Sequence, residues 1–271
     1  MKPPLRLLAV LAHPDDESLG CGGVLAKYAA EGVETHLVTA TRGERGRVGE
    51  ERPGPAIVGP LREAELRRAA GVLGIREVHF LDYMDADLDR APHAEAVAKI
   101  AAHLRRLRPQ VVVTFASDGA YGHPDHIAIS QLTGAAIVAA ADAGHRPPAG
   151  VELPAETHSV AKLYWFCSTP RAWDAYQYAF KHLVAKVDGV ERRANAWPEW
   201  SISASVDTRA EWETVWRAVQ CHESQVSGYE RLANLPPHLH EALWGTQTFY
   251  RVFSLVNGGR QIETDLFAGL R

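Results

Sequence analysis

Two short stretches concentrate side chains that handle protons and metal ions. His13, Asp15, Asp16 and Glu17 follow the apolar run at 7–12 in LLAVLAHPDDESLGCGG, and Tyr121, His123, Asp125 and His126 crowd into YGHPDH. Two imidazoles and one carboxylate, with a fourth position open, form a donor set of the kind that catalytic zinc uses. His13 and Asp16 lie three residues apart across a sharp strand-to-helix turn, so both can face one ion, and His126 supplies a third donor from the other stretch. His123 and His126 share nearly one face at a helix start, so one can bind metal while the other stays free. A metal held this way lowers the pKa of its water toward about 7 and polarises a carbonyl. Asp15 is then placed to act as general base, and His123 to protonate a leaving amine. Taken singly, each piece has a plainer reading: Asp16 or Ser18 as a helix cap, His13-Pro14 as a turn, Asp125 as a helix-start residue. Two such clusters at two strand ends favour a site.

The elements that must position these residues follow from periodicity. Residues 6–12 read as a strand buried on both faces, 19–31 as a helix stopped by Gly32, and 33–40 as a second strand. A Gly/Arg/Glu/Pro-rich loop spans 41–59, long enough to suggest function and to form a lid over a cleft. Pro60 in the first turn and Gly74 past the end predict a helix over 60–73. Strands are expected at 77–81 and 110–115, and helices at 92–107 and 125–142. Strands alternating with helices imply right-handed crossovers and a mostly parallel α/β sheet. Beyond residue 143 the pattern loosens, with strands expected at 160–167 and 248–256 and helices at 170–186 and 207–222. No internal repeat or domain boundary is visible. The reading is one domain over 1–271, with a core at 1–142 and a C-terminal part, 143–271, that walls the cleft. In open parallel sheets ligands bind outside the carboxyl ends of the strands. His13 to Glu17, Arg42 and Glu44, Asp82 and Asp85, and Tyr121 to His126 follow four successive strands, so all are expected at one rim.

Composition narrows the remaining classes. The chain has 271 residues, 46% of them hydrophobic, which is ample for a large core. Its net charge of -4 offers no basic face, so nucleic acid is not an expected partner. Cys21, Cys167 and Cys221 form no C-x-x-C pair, which points to a reducing cytoplasm. No segment approaches the roughly 20 apolar residues of a membrane span, and the run after Lys2 and Arg6 is too short for a secretion signal. GCGG at 20–23 lacks the spacing of a dinucleotide motif and falls inside a helix, where it reads as close helix–sheet packing. Arg45 and Arg47 read as a solvated loop or an anion contact, His222 in CHESQ as a structural histidine, and the tryptophans crowded between 165 and 244 as core or pocket lining.

AHPDDE at 12–17 together with GHPDH at 122–126 resembles the PIG-L/LmbE-like zinc-dependent N-deacetylases. That family includes the de-N-acetylases of N-acetylglucosaminyl-phosphatidylinositol and of the mycothiol and bacillithiol precursors, and mycothiol S-conjugate amidase. The resemblance covers most of residues 5–135 and extends to CHESQ (221–225) and TFYRV (248–252). It implies a Rossmann-like fold with one Zn2+ per chain, Fe2+ or another divalent ion being the alternative, on His13, Asp16 and His126. It implies Asp15 as general base and His123 as general acid or oxyanion donor, with Asp125 orienting the His123 ring. Tyr121 would hydrogen-bond the tetrahedral intermediate, Arg62 would contact substrate, and Glu44 and Asp85 would meet sugar hydroxyls.

The implied reaction is hydrolysis of an acetamide on an N-acetylglucosaminyl-type sugar, giving acetate and an amine, in a protein free to form a homo-oligomer. An amidase acting on a thiol or sugar conjugate is the near alternative. Fe(II) oxygen chemistry suits the same donors. A non-catalytic nucleotide- or sugar-binding module is a third reading, but binding alone requires no Asp15/His123 pair. Glu17 has no evident duty.

Overall fold

A computed structural model describes residues 4–180, 184–187, 189–193, 196–226, 230–257, 259 and 261–271. The elements, in chain order, are β1 (Arg6–Leu11), α1 (Asp16–Ala30), β2 (Glu34–Thr39), α2 (Pro55–Leu73), β3 (Glu77–Phe80), α3 (His93–Leu107), β4 (Val111–Phe115), α4 (Gly119–Gly122), α5 (Pro124–Ala141), β5 (Lys162–Cys167) and α6 (Pro170–Phe180). They continue through β6 (Val184–Val187), β7 (Val190–Arg193), β8 (Ala204–Asp207), α7 (Trp212–Gln220), α8 (Glu223–Val226), α9 (Glu230–Ala233), α10 (Pro237–Trp244) and β9 (Thr246–Ser254).

Seven strands form one sheet in the order β3-β2-β1-β4-β5-β9-β8. The first five run parallel, while β9 pairs antiparallel with β5 and β8 antiparallel with β9. Leu7 to Leu11 and Val111 to Val113 are buried because β1 and β4 carry helices on both faces, as a continuous apolar run requires. Helix α3 buries Val97, Ile100, Ala101 and Leu104 at helical spacing and packs on α5. The chain winds from β1 outward to β2 and β3, then crosses back to β4 and β5. The reversal lies between β1 and β4, so the carboxyl ends of those two strands flank the crevice where such sheets bind ligands.

The expected mostly parallel α/β sheet is present, and several element bounds move. Helix α2 begins at Pro55, so Pro60 lies inside it and not in its first turn. The carbonyl that Pro60 cannot engage belongs to Ala56, an exposed residue open to water. The helix expected at 170–186 ends at Phe180, residues 184–187 pair with 190–193 as a hairpin, and 181–183 lie outside the described residues. The glycines pack as expected: a Cβ on Gly20 would stand 3.0 Å from Phe166 of β5, and one on Gly23 2.9 Å from Thr208. All three cysteines are free. Among the described residues no helix is long and apolar enough to cross a membrane.

The C-terminal tail is fastened through charge. Lys162, fully buried, donates to Glu263 at 2.8 Å, and Tyr164 and Arg251 meet the same carboxylate. Replacing Glu263 with alanine strands a buried ammonium and is expected to cost about 3–5 kcal/mol. Urea titration should show a lowered midpoint at unchanged slope; a loss below about 1 kcal/mol would contradict this reading of the pair.

Candidate active site

The turn after β1 is held in an uncommon shape. Asp15 has φ 98°, in the left-handed region that side chains other than glycine rarely adopt, a conformation that costs on the order of 1–3 kcal/mol and persists only when its surroundings fix it. Glu17 fixes it. This fully buried carboxylate accepts the Asp15 N–H at 3.0 Å and the Ser18 hydroxyl at 2.5 Å, and stands 2.8 Å from His222 Nε2. Burial alone would lower the His222 pKa, but the Glu17 carboxylate overrides it and holds it above the ordinary value. Asp16 and Ser18 do not cap α1. Asp16 Oδ2 instead accepts the N–H groups of Ala12 (3.2 Å) and His13 (2.7 Å), leaving Oδ1 turned toward His126 Nε2 at 3.5 Å.

His13 stands at the centre. Its Nε2 lies 3.1 Å from Asp85 Oδ1 and 3.1 Å from Asp125 Oδ2, and its Nδ1 lies 3.2 Å from His126 Nε2 and 3.7 Å from Asp16 Oδ2. Two carboxylates at Nε2 place a proton there and free the Nδ1 lone pair. Burial opposes charge on His13, yet the bonds to Asp125 and Asp85 raise its pKa to about 10, so without a metal Nδ1 also carries a proton, which a bound ion would displace to reach that lone pair. Burial pushes Asp16 up to about 7 and, with the neighbouring histidines, holds His126 well below the ordinary imidazole range. His126 Nδ1 donates to the Gly119 carbonyl at 3.2 Å, so its Nε2 lone pair also faces inward, and its ring stacks on Phe115 at 3.8 Å between centroids.

These donors fit a metal ion. Neighbouring donors around a tetrahedral ion with bonds of about 2.0–2.1 Å are about 3.3 Å apart. His13 Nδ1 and His126 Nε2, 3.2 Å apart, are close to that spacing, and the Asp16 carboxylate reaches each of them through a different oxygen, Oδ2 3.7 Å from His13 and Oδ1 3.5 Å from His126. Among the described residues, two groups bring one donor atom each within 4.8 Å of one another: His13, His123 and His126, and His13, Asp85 and Asp125. In the last group the carboxylates meet the Nε2 edge of His13 and also accept main-chain N–H groups, which suits them to orient that ring. His123 accepts the Asp125 N–H on Nδ1 at 3.2 Å, so its proton sits on Nε2; burial keeps its pKa below the ordinary value.

The remaining predicted residues reach the same rim, several of them in different company. The Asp125 carboxylate does not orient His123. It is fully buried, contacts His13, and accepts the N–H groups of Ala86 (2.7 Å) and Leu88 (3.1 Å). The bond toward His123 comes from the Asp125 main chain, because the histidine precedes the helix by one residue and takes the place of its cap. Asp85, expected at sugar hydroxyls, is buried beside His13 and accepts the Arg45 N–H, and Glu44 spends Oε2 on the N–H groups of Arg42 and Asp85. Arg62, expected at substrate, is buried against the turn and donates to Gly43 O, Pro14 O and Asp15 Oδ2 (3.2 Å). Tyr121 packs edge-on against His123 and His126. Glu17 and His222 are the pair that sequence reading leaves without a role, since 205 positions separate them. An apolar cavity of about 230 Å3 opens beside Asp15 and Asp16.

Comparison with known proteins shows what the chain is similar to. The family described as PIG-L, GlcNAc-PI de-N-acetylase, matches residues 8–137. A 1D-myo-inositol 2-acetamido-2-deoxy-alpha-D-glucopyranoside deacetylase of Geodermatophilus obscurus is 35% identical, the alignment covering 100% of this chain and 99% of that one. A conserved protein of Thermus thermophilus superposes with a TM-score of 0.65 at 27% identity, over 94% of this chain and 97% of that one. The 4-carboxy-2-hydroxymuconate hydratase of Pseudomonas putida has the same fold, with a TM-score of 0.67 at 20% identity over 94% and 99%.

The orienting role of Asp125 is open to test. Asp125→Asn removes the anion at His13 Nε2 without removing a donor and is expected to weaken zinc binding about 10–100-fold. Competition with a chromophoric chelator measures this, with far-UV circular dichroism confirming the fold; unchanged affinity would refute the role.

Proposed function

The chain belongs to the PIG-L family, and from that premise we propose that it is a metal-dependent hydrolase that removes the acetyl group from an N-acetylglucosaminyl-type sugar, releasing acetate and a free amine. The observation that carries the reading is the convergence of His13 Nδ1, His126 Nε2 and the Asp16 carboxylate beside a strained, buttressed Asp15. The curated relative named above is a deacetylase of a 2-acetamido sugar joined to myo-inositol, which supports the same bond type here. Residues 1–271 act as one unit in this reading, because β5, β8 and β9 extend the sheet that carries the site.

His13, Asp16 and His126 would hold Zn2+, which when bound acidifies a water and polarises the amide carbonyl. The chain's own residues then divide the work. Asp15 takes a proton from the attacking water and delivers it to the departing amine nitrogen. Arg62, buried on its Oδ2, and Glu17, on its main-chain N–H, keep that carboxylate aimed. His123 accepts the Asp125 N–H on Nδ1, which leaves its Nε2–H as the group to donate a hydrogen bond to the oxygen on which charge develops. Tyr121, which lines the same cavity, is the second donor. Asp85 and Asp125 hold the His13 ring.

Asp15→Asn separates binding from chemistry. It should keep one zinc per chain while amine release falls by a factor of about 10²–10⁴. Full turnover in this variant, assayed with metal content measured in parallel, would overturn the assignment of the base.

A further inference from the structure

Tyr121 is assigned a hydrogen bond to the oxygen on which charge develops, so its hydroxyl has to stay open for substrate. Among the described residues that hydroxyl has no hydrogen-bond partner, and the ring rests edge-on against His123 and His126. A donor kept open in this way is not fixed through its own hydroxyl. It has to be fixed from behind, through its main chain.

That main chain is not relaxed. Ala120, the residue before, has φ 64° and ψ -61°, a conformation that a residue with a side chain keeps only when its surroundings hold it. Two holds come from the C-terminal half. Before Tyr121, the Asp118 carboxylate accepts the Ala120 N–H on Oδ1 at 3.1 Å and the Trp197 indole N–H on Oδ2 at 2.8 Å. Trp197 is itself anchored to the sheet: its main-chain N–H donates to Ser168 O at 2.8 Å, and its ring packs on Tyr250 of β9. After Tyr121, the hairpin β6–β7 packs on α4, and Arg192 of β7 donates to the Gly122 carbonyl at 3.3 Å. The Arg192 stem lies directly over Gly122. A Cβ there would stand 2.7 Å from Arg192 Cβ and Cδ, so only a glycine, here at φ 78°, admits the contact. Arg192 is not part of the cavity wall; it meets the site through this stretch.

We infer that Arg192 and Trp197 are positioning residues, which grip the strained stretch 118–122 on either side of Tyr121 and so present its phenol to the developing oxyanion. This rests on the deacetylase reading above and gives the β6–β7 hairpin a part in the reaction. A group that stabilises a transition state works only when held in place beforehand, and here the holding groups lie more than 70 positions further along the chain.

The test is kcat and KM for amine release from an N-acetylglucosaminyl substrate by the zinc-loaded protein. Arg192→Ala should lower kcat about tenfold while KM and zinc affinity stay unchanged, and Arg192→Lys, which keeps a donor for the carbonyl, should regain most of the loss. Trp197→Phe, which keeps an aromatic ring and removes the indole N–H, should also lower kcat. Tyr121→Phe should cost about 10²–10³-fold, and Arg192→Ala added to it should cost nothing further, because no phenol is left to present. Equal losses from Arg192→Ala in the two backgrounds would overturn the proposal, and a raised KM at unchanged kcat would overturn it in favour of Arg192 binding substrate. A second readout needs no turnover. With 3-fluorotyrosine placed at position 121, the fluorine resonance should shift or broaden in Arg192→Ala and return in Arg192→Lys; an unmoved resonance would overturn the clamp. Full turnover in Tyr121→Phe would sink the oxyanion role of Tyr121 and this proposal with it. No amine from the wild-type protein would instead sink the deacetylase reading, and the fluorine spectrum would still decide whether the stretch is clamped.

Discussion

The carboxylate of Asp125 is the point on which the site depends. It is fully buried at the start of α5, just past β4, and it reaches His13 from the end of β1 and the N–H groups of Ala86 and Leu88 from the loop after β3. Three strand ends are thereby tied to one group. A buried anion is tolerated only when it is fully engaged, so this engagement fixes the loops relative to each other and fixes which nitrogen of His13 faces His126. Strain at Asp15 is maintained by a second buried anion, Glu17, braced from the C-terminal half by His222. The two carboxylates with least solvent exposure thus set the geometry for those closer to the cavity.

The fold alone does not choose a reaction. A hydratase shares it at a TM-score of 0.67, and open α/β sheets gather ligands at the strand-order reversal whatever their chemistry. At its crevice, paired charged groups stand on the side of β2 and β3, and on the side of β5 and α6 a cavity mixes aromatic and aliphatic walls with Tyr121, Ser168 and Thr246.

Much of this is legible in the sequence. The apolar run ending in HPDD marks a buried strand opening at a rim, and YGHPDH marks its partner, because period and residue type report local structure directly. The role of Asp125 is misjudged from sequence because a side chain one residue into a helix can turn either way, and only the positions of Ala86 and Leu88 decide which. Arg62 shows as a site residue, but its burial against Pro14 and Gly43 depends on how α2 packs. Glu17 has no visible duty in sequence because its partner lies 205 residues away. The 184–193 hairpin is hidden where AYQYAFKHLVAKV keeps a helical look across a strand. The tryptophans divide as tertiary packing dictates: Trp244 is buried in the core, Trp173 and Trp197 line the cavity, and Trp200 is exposed.

The most direct measurement is a titration of metal-stripped protein with Zn2+, following amine release from an N-acetylglucosaminyl substrate. Turnover should be absent at the start and rise linearly to a plateau at one ion per chain. Turnover in the stripped protein, or none at any loading, would contradict a metal-dependent deacylase built on His13, Asp16 and His126.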